Sequence, residues 1–226
     1  MKILKKDDKI LNKDGNYLKY KMQIIVYNNL QKIIDNKKDC SYLFHSFKNE
    51  NLNFFLLNLD TSKVIDMGGM FQDCSNLLTI PQLNTSKVNN MSYMFYGCGN
   101  LQTIPQLDTS NVTDMNRIFY NCYNLQTIDI TSMDKISSTS NTQYMCYNCQ
   151  SLTKLIIRNM TVIPPLNTDA FYVCYHFTGE YDYTYNPEGL KDGRIYVPDG
   201  FVEQLKTATN WSAYADIIVP LSTLEE

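Results

Sequence analysis

The sequence predicts an α/β solenoid, with short parallel strands on one face, helical returns on the other, and a cap at each end. Three observations predict it. The first is a fixed period. Thr61-Ser62-Lys63-Val64, Thr85-Ser86-Lys87-Val88 and Thr109-Ser110-Asn111-Val112 lead in turn to Cys74, Cys98 and Cys122, 24 residues apart at each step. Periods in this range mark stacked units, none of which can bury its apolar side alone. The second is a leucine and an isoleucine three apart in each unit, as in Leu101-Gln102-Thr103-Ile104, which reads as a short strand. The third is the set Val112, Met115, Phe119 and Cys122, spaced 3, 4 and 3, which places four apolar side chains on one helix face.

Residues 1–28 read as an N-terminal β cap. Asp14-Gly15 is a hairpin-turn signal, and Tyr20, Met22, Ile24 and Val26 alternate at period two. The Asp-rich loop there does not fit a calcium loop, because an EF-hand frame centred on Gly15 puts Ile10 first and Lys21 last. The array spans 29–178. Its leading leucines are Leu30, Leu52, Leu77, Leu101, Leu125 and Leu152, with steps of 22, 25, 24, 24 and 27 residues. Asn29-Leu30-Gln31-Lys32-Ile33 matches Asn100-Leu101-Gln102-Thr103-Ile104 and so reads as the first strand. Leu125–Ile130 and Leu152–Ile157 read as later ones, while Pro81 and Pro105 shorten theirs, since proline donates nothing to a ladder. The Asp/Asn-Thr-Ser before each return supplies N-cap oxygens for a helix. The last long step holds a polar insertion around 137–142. Residues 179–226 read as a C-terminal cap. Arg194–Pro198 is a strand, Asp199 caps a helix burying Phe201, Val202 and Leu205, and Trp211, Tyr214, Ile217, Ile218 and Val219 close the open end.

The bulk numbers narrow the function. Charged residues are 19% and apolar residues 44% of 226, which fits a folded chain. A net charge of −3 gives no electrostatic footprint for nucleic acid. Residues 1–39 hold 10 Lys against 5 Asp, which reads as a solvated lysine-rich terminus or, alternatively, as a basic face for an acidic partner. No apolar run is long enough to insert in a membrane, and the charged opening Met1–Asp8 is followed by no signal-peptide core. The end Leu224-Glu225-Glu226 carries no hydrophobic tail or sorting motif.

Residues that often advertise chemistry fall into core register instead. Cys74, Cys98, Cys122, Cys149 and Cys174 share one slot. Neighbouring helices sit about 8–10 Å apart, beyond the reach of a disulfide, so these thiols are expected free and buried. Cys146-Tyr147-Asn148-Cys149 is a CxxC, but Cys146 fills the slot of Phe95 and Phe119. His45 and His176 lie at opposite ends of the array. With no nucleophile elbow, phosphate loop or paired carboxylates, the chain is expected to be no enzyme and to need no cofactor or metal.

The leucine-and-isoleucine strand is that of a leucine-rich repeat. Thr-Ser-Lys-Val, then Met-Phe, then Tyr-Gly-Cys-x-Asn-Leu, resembles the BspA-like leucine-rich repeat family of bacterial surface proteins. The resemblance is carried by Asp60–Asp129 and more loosely by Asn29–Cys174. Residues 194–221 are similar to a tail that often closes such arrays in gut-bacterial and prophage proteins. The resemblance implies adhesion to a host or bacterial surface protein or glycan, without catalysis, at the cell surface or secreted. The absence of an export signal and anchor leaves a cytoplasmic location, or a structural or receptor-binding role in a phage or prophage particle, as the alternative.

Two outer faces are candidate binding sites. The strand face carries Lys32, Phe54, Thr79, Thr103, Thr127 and Lys154 in one outward row, with Pro81, Pro105, Asp129 and Ile156 beside it. An aromatic edge carries Tyr96, Tyr120, Tyr147 and Tyr172, each two residues before a register cysteine. Such rings offer either a recognition stripe or mutual packing that seals gaps between turns.

Overall fold

A computed structural model describes residues 28–36, 38–47, 59–180 and 191–225. The β cap expected over 1–28 lies outside the described residues save for Asn28, as does the strand expected after Leu52. The fold is mixed α/β, with one small parallel sheet of four strands in the order β1-β2-β3-β4. These are β1 (Thr127–Ile130), β2 (Lys154–Ile157), β3 (Arg194–Val197) and β4 (Ile218–Pro220). Thr127 pairs with Lys154 and Lys154 with Arg194, so like positions of successive units stand side by side.

Among the described residues, earlier units contribute only single bridges to this side, Thr79 with Thr103 and Leu107 with Ile130. Proline explains the difference. Pro81 and Pro105 have no N–H to give a ladder, whereas the same slot holds Asp129 in β1 and Ile156 in β2. The strand expected at Asn29–Ile33 is instead helix α1 (28–36). Leu30, Ile33 and Ile34 have helical spacing, no proline follows them, and Ile34 is fully buried. Lys32 therefore stands exposed on a helix and not in the strand row. Gln31 fastens α1 to the first complete unit, accepting from the Asp60 N–H at 2.8 Å and donating to its carbonyl at 3.1 Å.

The returns are not helices. Each is a run of turns joined sideways to the next unit. The Met67, Gly69, Phe71 and Asp73 N–H groups donate to carbonyls of the following unit, at Asn90, Ser92, Met94 and Tyr96. The intervening Met70, Gln72 and Cys74 N–H groups close turns three residues back, on Met67, Gly69 and Phe71. The third residue of the first and last of these turns has positive φ, +61° at Gly69 and +57° at Asp73, the position where a type II turn favours Gly or Asn. The pattern recurs at Tyr93 and Gly97, Arg117 and Asn121, and Tyr144 and Asn148. Segments of about eight residues rich in Gly, Asn, Ser and Asp are poor helix nuclei, and pairing with the next unit satisfies the N–H groups that a helix would have used. The Asp/Asn-Thr-Ser triplets accordingly make local turns in place of helix caps. Asp60, Asn84 and Asp108 accept from the N–H of Ser62, Ser86 and Ser110.

The expected inward side chains are inward all the same. Val64, Met67, Phe71 and Cys74, with their counterparts in the next two units, are 2% exposed or less. Phe44, Phe71, Phe95 and Phe119 form a stack with centroids 5.8, 5.5 and 5.6 Å apart. Thr61, Thr85 and Thr109 are also buried, each hydroxyl donating to a carbonyl one unit on, at Asn84, Asp108 and Ser132. This satisfies polar atoms that would be costly to bury alone.

At the far end, the short helix α2 (Tyr175–Thr178) buries Phe177 and ends on Gly179 at φ +76°. Helix α3 (Val202–Thr207) buries Val202 and Leu205. Trp211 is fully buried and donates from Nε1 to the Pro164 carbonyl at 2.8 Å. Asp199 does not cap α3. A 3₁₀ turn, Asp199–Phe201, precedes the helix, and the Asp199 carboxylate accepts from the Ser222 N–H at 3.1 Å.

Candidate functional site

The residues with intrinsic reactivity are sealed in. All seven cysteines are free and buried. Each register thiol donates to a carbonyl of the preceding unit, Cys74 to Phe44, Cys98 to Phe71, Cys122 to Phe95 and Cys149 to Phe119, at 3.0–3.1 Å. Cys174 does the same to Cys146, at 2.7 Å. The physical reason for free thiols differs from helix spacing. Hydrogen-bonded turns sit at about the 4.8 Å of paired strands, near enough for a disulfide, but each of the five register thiols points its Sγ at a backbone oxygen of the preceding unit and not at the next thiol. Burial pushes the Cys74 thiol up to about 11 and Cys40 to about 12, with Asp39 and Asp66 adding to the latter. Burial holds Cys122, Cys149 and Cys174 well above the ordinary value. A thiol is nucleophilic as its thiolate, so neither the CxxC nor the ladder is poised for reaction. Among the described residues no group of His, Cys, Asp or Glu is arranged to hold a metal ion. His45 faces Asp73 at 3.6 Å and His176 faces Asp192 at 2.6 Å, so the two histidines do not share a site.

The strand face places its expected residues in one row. Thr79, Thr103 and Lys154 are exposed and Thr127 is half-buried. The Thr103 hydroxyl donates to that of Thr79 at 3.2 Å. Asp129 is already occupied: Arg158 grips it with both arms, Nε to Oδ1 at 3.0 Å and Nη2 to Oδ2 at 2.6 Å. Ile156, expected outward beside it, is only 5% exposed. What stays open is a line of threonines ending in Lys154 and Arg194.

The tyrosine edge is more developed than the sequence implies. Tyr96, Tyr120, Tyr147 and Tyr172 form one continuous stack with centroids 4.7, 4.6 and 5.5 Å apart. The first three are half-buried and Tyr172 is 50% exposed. The rings pack on each other and also reach the surface. Burial, then the neighbouring rings, raises the Tyr120 and Tyr147 phenols above their ordinary value, so both are neutral donors at physiological pH.

A second row runs beside the first, three residues earlier in each unit: Tyr93, Arg117 and Tyr144. The Arg117 guanidinium lies 5.5 Å from the Tyr93 ring centre and 4.9 Å from that of Tyr144, within range for cation–π attraction. Tyr144 meets Tyr147 edge-on at 5.4 Å, and Tyr93 meets Tyr96 at 5.7 Å. Sequence reading missed this row because the helix frame gave its residues no special place. The 24-residue step that revealed the Tyr96 row would have revealed it.

No helix among the described residues is long and apolar enough to cross a membrane. No curated protein and no solved structure matches the chain. Residues 38–160, more than half of the chain, match the family described as "Mycoplasma protein of unknown function, DUF285", and the chain belongs to that family.

Proposed function

We propose that the chain is a leucine-rich repeat solenoid of the BspA-like kind. It acts as a non-catalytic binding module whose partner is a host or bacterial surface protein or glycan. The observation that carries this reading is the stack of Tyr96, Tyr120, Tyr147 and Tyr172, half-exposed on the outside of a core that encloses every cysteine. Tyrosine supplies contact area and a hydroxyl at small entropic cost, and stacking fixes the rings before a partner arrives, which lowers that cost further. The sideways bonds that link each unit to the next support the solenoid reading, because they recur from Cys40 to Asn148, each reaching 23–26 residues ahead.

The test is an array carrying surface and matrix proteins on one half and glycans on the other, probed with the labelled chain. Retention on either class is expected, and Tyr120→Ala with Tyr147→Ala should cut it at least tenfold. Retention that survives this pair but falls with Thr103→Glu plus Thr127→Glu moves the site to the strand face. Retention on neither class refutes the reading.

A further inference from the structure

The second row defines what the tyrosine face is built to take. Arginine has five N–H donors in a planar fork. Arg117 spends the two on Nη1, donating to the Tyr93 hydroxyl at 3.0 Å and to Asn116 Oδ1 at 2.8 Å. Its Nε and Nη2 donate to no described residue, and no described carboxylate forms an ion pair with it. Arg158 and Lys191, by contrast, are paired with Asp129 and Asp216. Arg117 is therefore a half-buried cation, clasped by two rings, with the half of its fork that suits a carboxylate left over.

The rings decide between kinds of ligand. A sugar or a base stacks on an open aromatic face. Tyr120 has Tyr96 on one face and Tyr147 on the other, at 4.7 and 4.6 Å, and Tyr147 lies between Tyr120 and Tyr172, so what these two inner rings beside Arg117 and Tyr144 offer outward is edges and hydroxyls. Tyrosine edges and hydroxyls, interspersed with Asn116, Asn121, Asn148 and Gly97 around one arginine, have the make-up of a protein-binding paratope.

We propose that Arg117, held between Tyr93 and Tyr144, anchors a protein-docking surface that receives an aspartate or glutamate side chain from the partner, with the Tyr96–Tyr120–Tyr147 stack packing against the flanking residues. This rests on the binding-module reading and narrows it to one face and one partner chemistry.

A random-peptide phage library selected on the immobilised full chain, and counter-selected on Arg117→Gln, tests it. The enriched peptides should share an acidic residue. A synthetic copy should bind the full chain at least tenfold more tightly than it binds Arg117→Gln. Arg117→Lys should lose nearly as much, because an ammonium cannot replace a stacked, bidentate fork. Changing the shared Glu to Gln in the peptide should lose as much with the protein untouched, so the result does not depend on how well a variant folds. Peptides lacking acids, equal affinity for wild type and Arg117→Gln, or competition by sialylated or sulfated glycans without any peptide enrichment would overturn the proposal. Peptide binding lost in Thr103→Glu plus Thr127→Glu and kept in Arg117→Gln would also overturn it, while leaving the broader binding-module reading in place.

Discussion

Phe95→Ala removes the middle of the phenylalanine stack. Phe95 is fully buried, with Phe71 and Phe119 stacked on its two faces at 5.5 and 5.6 Å. A core Phe→Ala change costs about 3–5 kcal/mol, and each lost ring pair adds about 0.5–1.5 kcal/mol beyond area alone. Two pairs are lost here, so the cost should lie in the upper part of that range, at about 4–5 kcal/mol. Phe95→Leu keeps most of the volume and loses the ring pairs, and should cost about 1–3 kcal/mol. Phe44→Ala, at the end of the row and 4% exposed, should cost less than Phe95→Ala. Urea denaturation followed by far-UV circular dichroism gives the three values. Trp211 fluorescence, recorded alongside, reports the C-terminal end and shows whether that end unfolds together with the middle. A loss below about 1 kcal/mol for Phe95→Ala, or equal losses for Ala and Leu, would refute the stacked-core account.

Two further changes probe the turns and the C-terminal cap. Gly97 has φ +72°, and a Cβ placed on it would sit 2.3 Å from Asp73 Oδ1. Gly97→Ala should cost about 1–2 kcal/mol in a thermal melt, and Asp73→Ala in the same chain should restore part of it. The Asp199 carboxyl is held below its ordinary value of 3.8 by hydrogen bonds from Ser222. A lowered folded value means that its stabilisation is present above the ordinary carboxylate range and is lost as pH falls through the folded value. Melting temperature should therefore fall on acidification below about pH 4, with a shallower slope in Asp199→Asn, read by Trp211 fluorescence.

Much of the interior was legible in the sequence because the 24-residue step fixes which residues share a slot, whatever backbone lies between them. Phe71, Phe95 and Phe119 are buried in a row on that ground alone. The backbone was less legible. Spacings of 3, 4 and 3 suit a helix face, yet paired turns recur every four residues and present the same side chains inward. The corrective signal was Gly97, Asn121 and Asn148, residue types tolerant of positive φ, at one fixed position. Asn29–Ile33 copied the letters of a strand, and it folds as a helix because Ile34 extends its apolar face and no proline stops it. At the candidate site, the Tyr96 row was visible by register. The Arg117 clasp was not, because it depends on rings from the units before and after closing over one side chain.

The central claim is that the residues suggestive of chemistry are scaffold and that function lies on the outer rows. Thiol reactivity tests it most directly. Treating the native chain with a maleimide or a chromogenic disulfide at pH 8, followed by mass spectrometry, should leave all seven cysteines unmodified over a time in which glutathione reacts completely. The same chain in denaturant should label at all seven. Rapid native labelling of Cys98, Cys122 or the Cys146–Cys149 pair would place reactive thiols at the surface and contradict the account.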